Sequence, residues 1–273
     1  MGLLDGKVAI ITGAGGGLGK SHALSFAKEG AKIVVNDLGG SRDGVGTGTS
    51  MADEVVAEIQ ELGGEAIAHY GSVSDAQAAA GMVKTALDTW GRLDILVNNA
   101  GILRDRTLLK LEDENFDIVL NVHARGTYLV TKHAAAAMKD LGNGGSIIQV
   151  TSIEAYRGAP SWSVYSACKA GLENFTRTMA MELSHHKIRV NSVSPGHIGT
   201  PGVPGDEDTE EYFWKHLPLG RVGTIEDMAG TAVFLCSDMS SYITGINIHV
   251  DGGMWAASGN WTRREDNTWS ARG

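Results

Sequence analysis

Val8-Ala-Ile-Ile-Thr-Gly-Ala-Gly-Gly-Gly-Leu-Gly19 opens the chain's regular structure, and the unit it belongs to runs on to Asp37. Val8 to Ile11 is a short continuous apolar run, which marks a strand covered on both faces. A glycine-rich turn follows it. Lys20 to Glu29 then reads as a helix that offers Leu24, Phe26 and Ala27 to a core and stops at Gly30. Lys32 to Asn36 is the next strand, ending at Asp37. A strand, a glycine turn, a helix and a second strand are the context that a dinucleotide site requires. Glycines let the backbone bend sharply and approach a pyrophosphate, and the first N–H groups of a helix favour its charge. The spacing here is Gly13, Gly17, Gly19. The better-known G-x-G-x-x-G does not fit, because Leu18 occupies its last position counted from Gly13.

The rest of the chain repeats the alternation of strand and helix. Met51 to Leu62, Asp75 to Trp90, Glu112 to Lys139, Ser163 to Ser184 and Ile225 to Cys236 have helical character. Glu65 to Tyr70, Leu93 to Val97, Gly145 to Val150, Ile188 to Val193 and Asn247 to Val250 read as strands. This predicts an α/β fold with a doubly wound parallel sheet of about seven strands and helices on both faces. Residues 1–253 form one catalytic domain in this reading, and 254–273 a C-terminal extension. Gly39 to Ser50 is a longer loop than such connections usually have, either lying over the adenosine half of a cofactor or forming a surface insert. Thr200 to Arg221 is polar, acidic and proline-bearing, and reads as a loop or lid.

Size and charge narrow the function. A chain of 273 residues can bury one large core. A net charge of −9 argues against nucleic acid or an anionic membrane surface as partner. The two cysteines, Cys168 and Cys236, are too few for a disulfide framework, and Cys168 reads as a small buried filler. No zinc site is suggested: His185 and His186 are adjacent, so on a helix they point apart. The first residues are too short and too soon polar for a signal peptide, and no apolar run is long enough to span a bilayer. The expected location is cytoplasmic.

Several residue groups carry chemistry. Tyr165 and Lys169 stand one helical turn apart on the same face. An ammonium near a phenol favours the phenolate, so the tyrosine can exchange a proton near neutral pH although its free pKa is ~10. Asp37 lies where an acid bonds the ribose hydroxyls of an adenosine, and its charge repels a 2′-phosphate, favouring NAD; a turn or cap aspartate is the other use open to it. Asn98-Asn-Ala-Gly101 leaves a strand end with small and amide residues at the sheet's carboxyl edge. Either asparagine can serve a ligand or the local backbone.

Together these residues resemble the short-chain dehydrogenase/reductase family over nearly the whole chain. Thr12-Gly-x-x-x-Gly-x-Gly19 is similar to its cofactor turn and Asn98-Asn-Ala-Gly101 to its N-N-A-G segment. Asn121, Ser152, Tyr165 and Lys169 match its catalytic tetrad. Pro195-Gly196 and Thr200 match the segment that holds the nicotinamide carboxamide, and Asp251-Gly-Gly253 the end of the last strand. The first half resembles the hydroxyacyl-CoA dehydrogenase domain of peroxisomal multifunctional enzymes, through Val34 to Gly40, the insert after it and Gly101 to Arg106. Two departures stand out: Ser72-Val73 replaces the family's Asp-Val near the adenine, and a tail with Trp255, Trp261, Trp269, Arg263 and Arg264 follows Gly253.

The resemblance implies hydride transfer between NAD and a secondary alcohol or ketone. Tyr165 exchanges the proton, Ser152 holds the substrate oxygen, Lys169 lowers the Tyr165 pKa and binds the nicotinamide ribose, and Asn121 holds a water. The cofactor is expected to touch Gly13, Gly17, Leu18, Gly19, Asp37, Ser72, Val73, Asn98, Ala100, Gly101, Pro195, Gly196, Ile198 and Thr200, besides Tyr165 and Lys169. Glu154, Trp162 and Trp214 are the expected substrate-lining residues, with Tyr156 and Gly202 to Leu217 as further walls; core or subunit contacts are the other use of these aromatics. A hydrophobic cyclic, aromatic or steroid-like alcohol fits such walls, a hydroxyacyl-CoA thioester is the alternative, and an NAD-binding sensor or scaffold is the non-enzymatic one. The family implies a homotetramer, to which the tail would contribute by crossing to a neighbour unless it is a disordered end.

Overall fold

The computed structural model describes residues 2–41, 43–200, 207–257 and 261–271. The apolar runs become β1 (Val8–Thr12), β2 (Lys32–Asn36), β3 (Ala66–His69), β4 (Ile95–Asn98), β5 (Gly145–Val150), β6 (Ile188–Pro195) and β7 (Asn247–Val250). They form one parallel sheet in the order β3-β2-β1-β4-β5-β6-β7. The helices are α1 (Gly17–Lys28), α2 (Ser50–Glu61), α3 (Ala76–Trp90), α4 (Asp113–Leu120), α5 (Thr127–Leu141), α6 (Ser163–Leu183), α7 (Glu207–His216) and α8 (Ile225–Cys236).

Successive side chains on a strand face opposite ways, and the core divides accordingly. Ala9, Ile11, Ile33, Val35, Ile95 and Val97 join Phe26 of α1, Ile59 of α2 and Met228 of α8 in one apolar layer. Val8, Ile10, Val34 and Leu96 join Met82 of α3 and Met138 of α5 in the other. Each fully buried side chain of this size contributes roughly 1.5–3 kcal/mol. The continuous apolar run of β1, and those of Ile33 to Val35 and Ile95 to Val97, therefore follow from an inner sheet covered on both faces.

The chain winds outward from β1 through β2 to β3, then returns to β4 on the other side of β1. Ligands bind in open α/β sheets at such a reversal, outside the carboxyl ends of the strands. Here that edge is made by the segments that leave the sheet after Thr12, Asn36, Asn98, Val150 and Pro195.

Four features differ from the sequence reading. The helical stretch Glu112 to Lys139 is interrupted: α4 ends at Leu120, Asn121–Gly126 forms a π-helical turn, and α5 follows. The added residue shifts the apolar pattern by about one position, a phase slip too small to mark a break in a stretch read as one long helix. The polar segment after Thr200 contains α7, an amphipathic helix on the surface; Gly202 to Asp206, at the start of the expected wall, lies outside the described residues. The tail forms an antiparallel hairpin, β8 (Trp261–Arg263) and β9 (Trp269–Ala271). Finally, the rings of His185 and His186 do not point apart but lie 3.7 Å from each other. The reason is that α6 ends at Leu183 and the chain tightens into a 3₁₀ turn, with Lys187 left-handed at φ 59°.

Candidate active site

The glycine turn is shaped by close approach. Gly13 and Gly17 have φ of 62° and 50°, a region that favours glycine. A Cβ on Gly13 would lie 2.8 Å from the Ala100 Cα, and one on Gly19 would lie 2.0 Å from the Gly13 carbonyl oxygen. The turn is thus pressed against the segment that leaves β4. Thr12 ties the two together: its Oγ1 accepts from the N–H groups of Asn99 and Ala100, both at 3.0 Å. The Asn99 amide donates to the Thr12 and Gly13 carbonyls at 3.0 Å, and the Asn98 amide donates to Thr131 Oγ1 at 2.9 Å. Both asparagine side chains are therefore taken up inside the chain.

The start of α1 suits a phosphate. Its N-cap is Gly16, no side chain among the described residues caps it, and no acid stands in its first turn. By contrast Asp75 caps α3, and Thr224 with Asp227 forms a capping box on α8. The first N–H groups of α1, with the positive end of the helix dipole, are left for an anion. Thr200 reaches over the same turn, its Cγ2 3.8 Å from where a Cβ on Gly17 would sit. Asp37 closes the β2 side. Its carboxylate accepts from the Gly15 N–H at 2.8 Å and the Gly39 N–H at 2.7 Å. The insert after it turns back through Gly48, which donates to the Leu38 carbonyl, and its Gly44 packs against Ile102. Ser72 bonds Ser74, and Val73 is buried against Gly126. Beyond β6, Gly196 packs on Asp251 and Ile198 bridges to Gly223.

The catalytic candidates gather on the other side of the crevice. Ser152 is buried just past β5, and its Oγ accepts from the Glu154 N–H at 3.1 Å. Tyr165, Lys169 and Glu173 form one stripe of α6, at positions i, i+4 and i+8. The Lys169 Nζ lies 5.5 Å from the centre of the Tyr165 ring and donates to the Val150 carbonyl at 2.7 Å. Burial lowers its pKa to about 8, against the opposing pull of Cys168 and Glu173. An amine that is 95% buried beside a phenol is a strong electrostatic partner, because little water screens it. Asn121 begins the π-helical turn, a departure common at functional sites.

Trp162 and His123 hold the Tyr165 ring edge-on, with centroids 5.4 Å and 5.3 Å away. Sequence alone does not single out His123. It is buried; its Nε2 faces the Ile102 backbone, and its Nδ1 has no hydrogen-bond partner among the described residues. Burial, with the Lys169 charge adding to it, lowers its pKa to about 3, so the imidazole is neutral. It also explains Gly101, where a Cβ would lie 2.6 Å from the His123 Cε1. Glu173 escapes a sequence reading too, although its spacing from Lys169 is a usable signal. It is buried and accepts from Thr151, Ser192 and the Asn247 amide. Together with burial it pushes the Tyr156 phenol well above its usual value, burial being the larger cause.

The expected substrate side divides. Glu154 is buried and takes two Arg157 N–H groups on Oε1, while its Oε2 has no partner among the described residues. Tyr156 packs with His249 and Trp255. Trp214 is turned to the tail hairpin, its ring 5.4 Å from the Arg263 guanidinium. Phe213 packs on His197, with centroids 4.9 Å apart.

A family model described as enoyl-(acyl carrier protein) reductase matches residues 13–255. The chain is 48% identical over 191 residues to peroxisomal multifunctional enzyme type 2 of Mus musculus, a match covering 70% of this chain and 25% of that protein. It is 41% identical over 252 residues to the 3-oxoacyl-[acyl-carrier-protein] reductase of Synechocystis sp., covering 92% of this chain and 98% of that enzyme. The solved structure of a 7α-hydroxysteroid dehydrogenase complexed with NADH and 7-oxo glycochenodeoxycholic acid is similar with a TM-score of 0.84 and 34% identity, covering 92% of this chain and 94% of that one. The chain belongs to the short-chain dehydrogenase/reductase family and is a pyridine-nucleotide oxidoreductase.

Proposed function

We propose that this short-chain dehydrogenase/reductase is an NAD-dependent alcohol dehydrogenase acting on a secondary alcohol or ketone of hydrophobic cyclic, aromatic or steroid-like form. The observation that carries the reading is the α6 stripe, with Tyr165 one turn from a buried Lys169 that bonds the Val150 carbonyl at the end of β5, two residues before Ser152. When bound, the nicotinamide accepts or gives the hydride. Tyr165 takes the alcohol proton in oxidation and returns it in reduction. Ser152 donates to the same oxygen and fixes its place. The Lys169 ammonium favours the phenolate and holds the nicotinamide ribose. Asn121 keeps a water through which protons leave. These roles are general acid–base and electrostatic catalysis by groups already in position.

The NAD preference rests on Asp37. Two of its roughly four lone-pair positions are used by Gly15 and Gly39, and the remainder accept from ribose hydroxyls. The uncapped start of α1 would hold the diphosphate. The steroid-like substrate class is supported by the steroid-bound neighbour and by Trp162 beside Tyr165. A 3-hydroxyacyl-CoA substrate is the second reading, favoured by the similarity to the peroxisomal multifunctional enzyme. The deciding experiment follows absorbance of the reduced cofactor, with NAD and NADP separately, across steroid, aromatic and acyl-CoA alcohols. Turnover of a steroid or cyclic alcohol with NAD supports the first reading. Tight NAD binding with silence on every substrate favours a sensor.

The proposal includes a cytoplasmic homotetramer built on one catalytic domain, 1–253, with the tail as an extension. Among the described residues no helix is long and apolar enough to cross a membrane. Leu108, Phe116, Leu120, Tyr128 and Phe175 line an apolar groove of about 520 Å³ along α4, α5 and α6, which a second copy would cover. Sedimentation as a monomer at micromolar concentration would remove that part.

A further inference from the structure

Past Gly253 the chain comes back as the β8–β9 hairpin, whose Arg263 reaches α7. The Arg263 guanidinium lies 5.4 Å from the Trp214 ring on α7 and 5.2 Å from the Trp269 ring on β9. Its Nη2 donates to the carbonyls of Leu217, at 3.2 Å, and of Pro218. Those carbonyls follow the last residue of α7, at the negative end of its dipole, and the Leu217 carbonyl also accepts from the Gly220 N–H at 2.8 Å. A planar cation that stacks on two indoles while donating in its own plane uses what arginine has and lysine lacks. Gly220, at φ 68°, makes the room: a Cβ there would lie 2.9 Å from the Arg263 Nη1.

The loop after α7 is held from the sheet side as well. The Leu219 N–H donates to the Gly252 carbonyl at 3.0 Å, and Pro218 packs on Gly253. On α7 itself, Phe213 rests on His197, which lies between Gly196 and Thr200 in the proposed nicotinamide segment. The hairpin is thus linked to the crevice through α7.

We propose that Arg263 is a positioning residue: the C-terminal hairpin clamps α7 and so fixes the wall that α7 presents to the substrate. This rests on reading α7 as a substrate wall. Loss of the clamp lets α7 sample open positions, which weakens substrate capture and leaves proton transfer in the assembled site as it was.

The test uses the full chain with Arg263→Ala, Arg263→Lys and Trp269→Ala. Amide hydrogen exchange is read over 207–220 without ligand, and kinetics are measured on an alcohol the parent oxidises. In Arg263→Ala, exchange over 207–220 should rise roughly tenfold while the sheet is unchanged. KM for the alcohol should rise about five- to tenfold, with kcat and NADH affinity within about twofold. Arg263→Lys should recover little, because an ammonium cannot stack on both indoles. Trp269→Ala keeps the carbonyl bonds, should shift both readouts the same way by less, and carries the test if Arg263→Ala does not fold. Unchanged exchange over 207–220 overturns the proposal. So does an equal loss of kcat and NADH affinity, which would make the hairpin a general support of the fold. Because exchange needs no turnover, inactivity on every alcohol would strike the activity reading and leave the clamp standing.

Discussion

The two sides of the crevice are built on different plans. On the dinucleotide side, the polar groups around the glycine turn find partners inside the chain: Asp37 on Gly15 and Gly39, Asn99 on Thr12 and Gly13, Asn98 on Thr131. On the catalytic side, buried atoms stand unmatched among the described residues: His123 Nδ1, Glu154 Oε2 and Ser166 Oγ. An unmatched buried polar group costs about 1–3 kcal/mol. The first side is a rigid backbone mould, which suits a ligand common to many enzymes. The second keeps buried polar atoms without such partners, at a cost the fold carries.

Removing the proposed proton-transfer group should expose this division most sharply. Tyr165→Phe is expected to cut kcat by about 10²–10⁴. Its NAD affinity, measured by fluorescence titration, should stay within about threefold, because the mould does not use the phenol oxygen. A comparable loss of affinity would mean the two sides are one unit.

The converse variant is Gly19→Ala, whose Cβ would meet the Gly13 carbonyl oxygen at 2.0 Å. The turn must shift, so NAD affinity should fall at least about tenfold, and stability by roughly 1–3 kcal/mol from the forced overlap. Denaturation and calorimetric binding check both. Wild-type affinity would show that the turn is less rigid than its contacts require.

A gentler change, Asp37→Ser, removes the negative charge while leaving an acceptor for the turn. The ratio of kcat/KM with NADP to that with NAD should rise about tenfold, since repulsion of a 2′-phosphate is relieved. An unaltered ratio would place ribose recognition elsewhere.

The smallest effect concerns the exception to the division. His22 lies on the dinucleotide side, fully buried in α1, with neither ring nitrogen bonded among the described residues. Burial lowers its pKa from 6.5 to about 4. The unfolded chain therefore binds the proton first as pH falls, so this group's stabilising contribution is complete above pH 6.5 and is lost toward pH 4. His22→Leu should flatten the fall of melting temperature in that window, with about one proton fewer taken up on unfolding at pH 5. His123 keeps its own share of the slope. An unchanged slope would mean that His22 is charged in the folded state.

Much of this is legible in the residues alone. A continuous apolar run has no wet face, so Val8 to Ile11 and Ile33 to Val35 announce a parallel sheet between helices. The glycine turn and Asp37 are legible because backbone moulds demand particular residues at fixed spacing. Tyr165 and Lys169 are legible because a helix turn brings them together without help from the rest of the fold. The π-helical turn at Asn121 is not, since a single phase slip within a long helical stretch does not say what backbone absorbs it. Neither is His123, whose importance comes from Tyr165 and Gly101, residues brought to it by other elements.

By itself, then, the sequence determined what short-range geometry enforces: the strand–turn–helix unit, the α6 stripe and the order of elements along the chain. Tertiary structure alone decided that the asparagine amides bond inward, that Glu173 gathers hydroxyls from two strands, and that Arg263 reaches α7. Each of those contacts joins residues far apart in the chain. Whether a side chain meets water, a ligand or another residue there depends on how whole elements pack, which local spacing does not encode.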